Sequence, residues 1–166
     1  DETWHAQHRV FEAAFRAVLK CRHPVIAAVD GYALAGGLEL ALNCDTIIAG
    51  SGASFAQPEV MRGIMPGAGG TQLLPRLIGR GRAKELIFTG AIIDAREAER
   101  IGLANRVVPD EQVLDAALDV GRKIAAQAPL AVRLSKLIMN QAARGASLTE
   151  VESVAQAILF ESEDKR

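Results

Sequence analysis

The first twenty residues carry apolar side chains at helical spacing. These apolar positions are Phe11, Ala14, Phe15, Val18 and Leu19. They predict an amphipathic helix over Glu2–Lys20 with one buried face. We expect this helix to stop at His23-Pro24, because a proline disfavours helical backbone in the residue before it.

Short apolar runs alternate with small-residue turns up to about residue 108. We predict a fully apolar, buried strand over Val25–Val29, and further strands over Thr46–Ala49, Ser54–Gln57 and Arg106–Val108. The Gly/Ala-rich segment Asp30–Gly37 predicts a turn, and Arg62–Gly70 predicts a loop. The predicted helices in this part are Gly36–Asn43, Thr71–Ile78 and Arg82–Phe88. Asp94 with Glu97 indicates a helix start, and Gly102 indicates its end. This alternation is typical of a layered α/β domain.

After Pro109 the pattern becomes helical throughout. We predict helices over Asp110–Gln127, Pro129–Arg144 and Leu148–Glu161, the last with a Ser147–Glu150 capping box. The chain therefore divides into an α/β part, residues 1–108, and an all-helical part, residues 109–166.

Composition narrows the class of protein. Hydrophobic residues make up 49%, while aromatic residues make up only 4%, so a globular core must consist mostly of Ala, Leu, Ile and Val. A net charge of −1 lacks the basic excess of a nucleic-acid-binding protein. No apolar run is long enough to span a membrane. Cys21 and Cys44 lie in apolar segments, and we expect buried thiols in a reducing compartment.

Other polar clusters give weaker signals. The three histidines form no metal-ligand pattern, so we expect no metal site. One basic cluster comprises Arg76, Arg80, Arg82 and Lys84. This basic cluster is either a solvated helix end or a contact for an anion such as a cofactor phosphate.

Two carboxylates lie beside glycine-rich turns in apolar surroundings. In Ala35-Gly-Gly-Leu-Glu39, the first N–H groups of the predicted helix could hold a developing oxyanion, with Gly36 the best donor candidate. Glu39 lies one turn further on and is either a solvent-facing helical residue or a catalytic one. Glu59, after Pro58, is either a surface residue or the partner of Glu39. If both were buried together, their pKa values would rise and they could act as acid and base.

The sequence resembles the enoyl-CoA hydratase/isomerase (crotonase) superfamily. The resemblance rests on Pro24–Asp45, then Phe55–Glu59 and Ile64–Gln72, and continues through Leu86–Gly90 and Ala98–Val108. It implies a spiral of strand–strand–helix units followed by a helical trimerisation region, and a homotrimer or a dimer of trimers. It also implies an acyl-CoA thioester substrate without a separate cofactor, and a cytoplasmic or mitochondrial-matrix location.

The resemblance also implies roles for individual residues. Gly36 would supply one oxyanion N–H, Glu39 would position and activate water, and Glu59 would exchange the proton at the carbon alpha to the thioester. Gly67 would line the pocket and help to hold the water. The remaining substrate contacts would come from Tyr32, Leu34, Ala35, Gln57 and Pro66.

Two departures from the family pattern accompany these implications. Ala35 stands where many members have glycine, and we expect its methyl group to be tolerated. The family's first spiral turns, which carry the second oxyanion N–H, have no counterpart here, so the resemblance implies a fragment of a longer protein. Because isomerases of the family commonly keep only the second carboxylate, the resemblance with both Glu39 and Glu59 present implies an enoyl-CoA hydratase. The alternatives are an isomerase or another acyl-CoA lyase using mainly Glu59, and a non-catalytic homologue that forms oligomers.

Overall fold

The computed structural model describes residues 2–143 and 148–162, with side chains from Arg9 onward. The helices are α1 (Glu2–Leu19), α2 (Gly36–Leu42), α3 (Gly70–Ile78), α4 (Arg80–Thr89), α5 (Ala95–Arg100), α6 (Val113–Ala125), α7 (Pro129–Ala142) and α8 (Thr149–Glu161). The strands are β1 (Ile26–Val29), β2 (Tyr32–Leu34), β3 (Thr46–Gly50), β4 (Ser54–Ala56), β5 (Ile93–Asp94) and β6 (Arg106–Val108). Two 3-10 turns span Pro58–Arg62 and Asp110–Gln112.

Two small sheets are built by consecutive strand–strand units. In one sheet, β3 lies between β1 and β6 and is parallel to both; in the other, β4 is parallel to β2 and antiparallel to β5. Ile26 pairs with Thr46, and Tyr32 pairs with Ser54. Each strand of the unit β1–β2–α2 therefore pairs in parallel with the corresponding strand of the next unit, as expected for the strand–strand–helix spiral that the family resemblance implies.

Small aliphatic side chains fill the core, as the low aromatic content requires. Ala49, Ala83, Ala95 and Ala98 are fully buried, and Phe55 is the largest fully buried side chain among the described residues. These alanines let helices and strands approach closely. A change of even one methylene group in the volume of a core side chain therefore affects its neighbours.

Several expectations about local structure are wrong. Tyr32–Leu34 is a strand rather than part of a turn, because it pairs with Ser54–Ala56. In β1 only Val29 is buried and Ala28 is exposed, since β1 is an edge strand among the described residues and pairs only with β3. Cys21 and Cys44 are half-buried rather than buried, because each lies just beyond the end of a helix.

Local capping signals give a mixed result. Asp94 caps α5 by accepting from the Glu97 N–H at 2.8 Å, and Gly102 follows the helix end with φ +83°. Both predictions are confirmed. Arg144 and Ser147, and with Ser147 the predicted capping box, lie outside the described residues.

The chain divides into two compact units. The first comprises the part up to Cys21 together with Val25–Ala117, and it holds both sheets. The second comprises Arg22–Pro24 and the chain from Leu118, in which α7 packs against α8. The division between the two units falls within α6.

Candidate active site

Glu39 is buried on the core-facing side of α2, with 4% of its surface exposed. Its Oε1 accepts from the backbone N–H groups of Ala68 and Gly70, each at 2.8 Å. The alternative of a solvent-facing helical glutamate is therefore wrong. Since both bonds from described residues go to Oε1, Oε2 remains available to accept a proton from another molecule.

The loop before α3 holds this carboxylate. Gly69 has φ +115°, and Gly70 begins α3. A Cβ at Gly70 would lie 2.9 Å from Pro66 Cβ and 3.0 Å from Glu39 Oε1, so only glycine fits without a shift of these neighbours. The start of α3 also offers Glu39 free N–H groups and partial positive charge.

Glu59 lies in the 3-10 turn after β4, and 7% of its surface is exposed. Its interpretation as a surface residue is therefore wrong. A carboxylate can only accept hydrogen bonds, so the Gln57 amide is oriented with its nitrogen toward Glu59, 2.8 Å from Oε1 and 3.1 Å from Oε2. Burial raises the pKa of Glu59 above its ordinary 4.5; a backbone hydrogen bond opposes this rise and the charge of Glu39 adds to it.

The groups that hold the Glu39 and Glu59 carboxylates lie next to one another at Gly70. The Gly70 N–H binds Glu39, while a Cβ on the same residue would lie 2.9 Å from the amide of the fully buried Gln57, which holds Glu59. The effect of the Glu39 charge on the Glu59 pKa is consistent with this proximity. The structure thus brings together two glutamates that are twenty residues apart in the sequence.

Backbone strain marks the turn before α2. Ala35 has φ +50° and ψ −123°, and it is the one non-glycine residue with positive φ in the described part of the chain. Its N–H donates to Ala56 O at 2.9 Å, and its carbonyl accepts from Glu39 N at 2.9 Å. The following Gly36 is exposed, with open space around its Cα, and the first N–H of a helix has no partner within the helix. Gly36 can therefore donate to a ligand.

The other predicted substrate contacts differ in exposure. Tyr32 is 81% exposed and Gly67 is exposed, whereas Leu34 is half-buried and Pro66 is buried. Gln57 is fully buried and supports Glu59. Contacts of these residues with a substrate stay predictions.

Sequence reasoning missed Asn43, which lies just after α2. Its side chain is buried, and Nδ2 donates to Glu39 O at 2.8 Å and to Ala68 O at 3.2 Å. An asparagine after an apolar helix is an ordinary capping residue, so no sequence signal distinguishes it.

Comparison with known proteins gives the family. The model of the enoyl-CoA hydratase/isomerase family matches residues 4–165. A short-chain-enoyl-CoA hydratase of Clostridium acetobutylicum is 50% identical over 149 residues, which are 90% of this chain and 54% of the relative. A crotonyl-CoA hydratase of Syntrophomonas wolfei is 45% identical over 157 residues, 93% of this chain and 60% of the relative.

Solved structures agree with the sequence relatives. An enoyl-CoA hydratase structure from Bacillus anthracis superposes with a TM-score of 0.95 at 40% identity, covering 99% of this chain and 65% of that one. The chain belongs to the enoyl-CoA hydratase/isomerase family and has the crotonase fold, which confirms the family and fold inferred from the sequence. It spans a little over half the length of these two curated relatives. No helix in the described ranges is long and apolar enough to cross a membrane.

Proposed function

We propose that the protein is an enoyl-CoA hydratase, which adds water reversibly to a trans-2-enoyl-CoA to give a 3-hydroxyacyl-CoA. One observation carries the proposal: Glu39 and Glu59 are both buried, and their supporting groups meet at Gly70. The names of the relatives from Clostridium acetobutylicum and Syntrophomonas wolfei support a short-chain substrate such as crotonyl-CoA.

The two glutamates take complementary roles in this proposal. Glu39, held through Oε1, accepts a proton from water through Oε2 while the water oxygen bonds to C3 of the substrate. Glu59 delivers a proton to C2, a role suited to a carboxyl group whose pKa is raised by burial. The charge that develops on the thioester oxygen is stabilised by the Gly36 N–H. Return of the proton from Glu39 to Glu59 completes the cycle, and no cofactor is needed beyond the CoA of the substrate.

The test is hydration of crotonyl-CoA, followed by loss of the ultraviolet absorbance of the enoyl thioester. We expect turnover by the protein, and a fall of about 10²-fold or more in kcat for Glu39→Gln and for Glu59→Gln, because each removes a general acid or base. Glu85→Gln, on the exposed side of α4, is the matched control and should keep full activity. Full activity in either site variant would refute the proposal.

The alternatives predict different products. An isomerase would use mainly Glu59 and convert a 3-enoyl-CoA to its 2-enoyl isomer without adding water. The buried Glu39, whose proposed role is to accept a proton from water, therefore favours the hydratase. Product analysis with both substrates separates the two. A non-catalytic homologue would bind no acyl-CoA in a titration and turn over neither substrate.

We propose further that the helical region, residues 109–166, forms trimers or dimers of trimers. The large apolar side chains exposed on α7 and α8 support this; they include Leu137, Met139, Val151, Val154 and Ile158. Analytical ultracentrifugation should then show a trimer or hexamer, and a monomer at micromolar concentration would contradict it. A cytoplasmic or matrix location stays a prediction.

A further inference from the structure

Asn43 makes contacts that tie α2 to the loop holding Glu39. The asparagine amide nitrogen has two hydrogens, and both have acceptors: Glu39 O at 2.8 Å and Ala68 O at 3.2 Å. The first bond is local and common near helix ends. The second spans 25 residues and reaches the residue whose N–H binds the Glu39 carboxylate.

Residue 68 is therefore held at both of its backbone polar groups by α2 and the residue that caps it. Its N–H donates to Glu39 Oε1, and its carbonyl accepts from Asn43 Nδ2. Glu39 and Asn43 are four residues apart, so their side chains lie on the same face of this helical turn. One hydrogen bond leaves a peptide free to rotate about it, whereas two bonds on opposite sides fix its orientation.

We propose that Asn43 is a positioning residue, which fixes the loop that orients Glu39 for water activation. This inference rests on the proposed hydratase function. Asn43 acts through the Ala68 peptide and has no contact with the reacting atoms in this account. Without its bond, the Ala68 and Gly70 N–H groups would hold Oε1 less firmly, and Oε2 would lose its direction toward water.

Two substitutions remove the donors while keeping the volume. Asn43→Asp replaces the amide nitrogen by an oxygen that faces two carbonyl oxygens, and Asn43→Leu replaces the amide by an apolar group. Asn105→Asp is the matched control, because Asn105 uses its oxygen, accepting from Ile47 N at 2.8 Å, and aspartate keeps that bond. The two site variants differ in polarity, so a folding defect of one does not decide the result for the other.

Steady-state kinetics with crotonyl-CoA separate positioning from simple structural support. We expect kcat per folded molecule to fall about 10- to 100-fold in both Asn43 variants with KM little changed, because misplacing a catalytic group by up to 1 Å has effects of this size. The Asn105→Asp control should keep wild-type kcat. A merely structural role would lower the melting temperature and leave kcat unchanged in the folded enzyme, and that result would overturn the proposal.

Amide hydrogen exchange tests the contact between Asn43 and the Ala68 peptide without measuring catalysis. In the wild type, the Ala68 and Gly70 N–H groups should exchange more slowly than that of the exposed Gly67, and exchange at Ala68 and Gly70 should accelerate in the Asn43 variants. Unprotected Ala68 and Gly70 amides in the wild type, or unchanged exchange in a folded variant, would overturn the proposal. A wild type without hydratase activity would instead refute the proposed function, and exchange would still decide whether Asn43 fixes the loop.

Discussion

A methyl group added at Gly70 would collide with three residues of the candidate active site. The Cβ of Gly70→Ala would lie 2.9 Å from the Gln57 amide, 2.9 Å from Pro66 Cβ and 3.0 Å from Glu39 Oε1. Ordinary contacts of a Cβ begin at 3.4 Å, so each neighbour must move by 0.4 to 0.5 Å. All three neighbours are buried, and they cannot simply turn into solvent.

The sign of the effect on stability follows from two opposing contributions. Alanine is favoured over glycine in a helix by up to about 1 kcal/mol. Overpacking a buried position costs up to about 3 kcal/mol, and crowding on three sides belongs at that end of the range. We therefore expect a net loss of about 2 kcal/mol in the free energy of unfolding, or a melting temperature about 4–8 °C lower. Displacing Oε1 by half an ångström should also lower kcat about tenfold.

Thermal denaturation and hydratase kinetics measure the two effects. Gly81→Ala is the matched control, since Gly81 also lies in the first turn of a helix, and its Cβ would meet nothing within 4 Å. That variant should be as stable as the wild type or slightly more stable, with unchanged kcat. A Gly70→Ala protein with wild-type melting temperature and wild-type kcat would refute the reasoning.

Three further predictions concern stability. Ala35→Gly should raise the free energy of unfolding by about 1 kcal/mol, because relief of the strained φ of +50° exceeds the entropy cost of glycine; a lower melting temperature would contradict this. Because burial raises the pKa of Glu59 from 4.5, the folded protein retains a proton that the unfolded chain releases just above that pH, so the contribution of Glu59 to stability should fall as pH rises through this window. Urea titrations across the window should show that the free energy of unfolding of Glu59→Gln rises with pH relative to that of the wild type, and a difference independent of pH would exclude the raised pKa. Asp94→Ala should cost about 1 kcal/mol by removing the cap on the Glu97 N–H, and thermal denaturation without a shift would count against that bond.

Local chemistry made part of the fold predictable. The start and end of α5 follow from Asp94 and Gly102, whose effects act within one helical turn. By contrast, β2 was missed because its three residues lie in a Gly/Ala-rich run, and its strand conformation depends on pairing with Ser54–Ala56, some twenty residues further along the chain. Short strands of this kind are defined by their partners rather than by their own pattern.

The site shows the same division between local and distant causes. Glu39 and Glu59 could be proposed from their glycine-rich and apolar surroundings, with the family resemblance supplying their roles. The hydrogen bond that holds the Glu39 carboxylate depends on the Gly69–Gly70 turn, which no spacing reveals. Asn43 could not be identified at all, because its second hydrogen bond depends on where the Ala68 carbonyl lies.

The most direct test of the central claim is a double-mutant cycle on Glu39 and Glu59, measured as kcat for crotonyl-CoA hydration. If the two carboxylates act together on one substrate, the Glu39→Gln/Glu59→Gln protein should lose about as much activity as the more damaging single variant, about 10²-fold or more. Losses that multiply to about 10⁴-fold or more, as for two independent groups, would contradict the account.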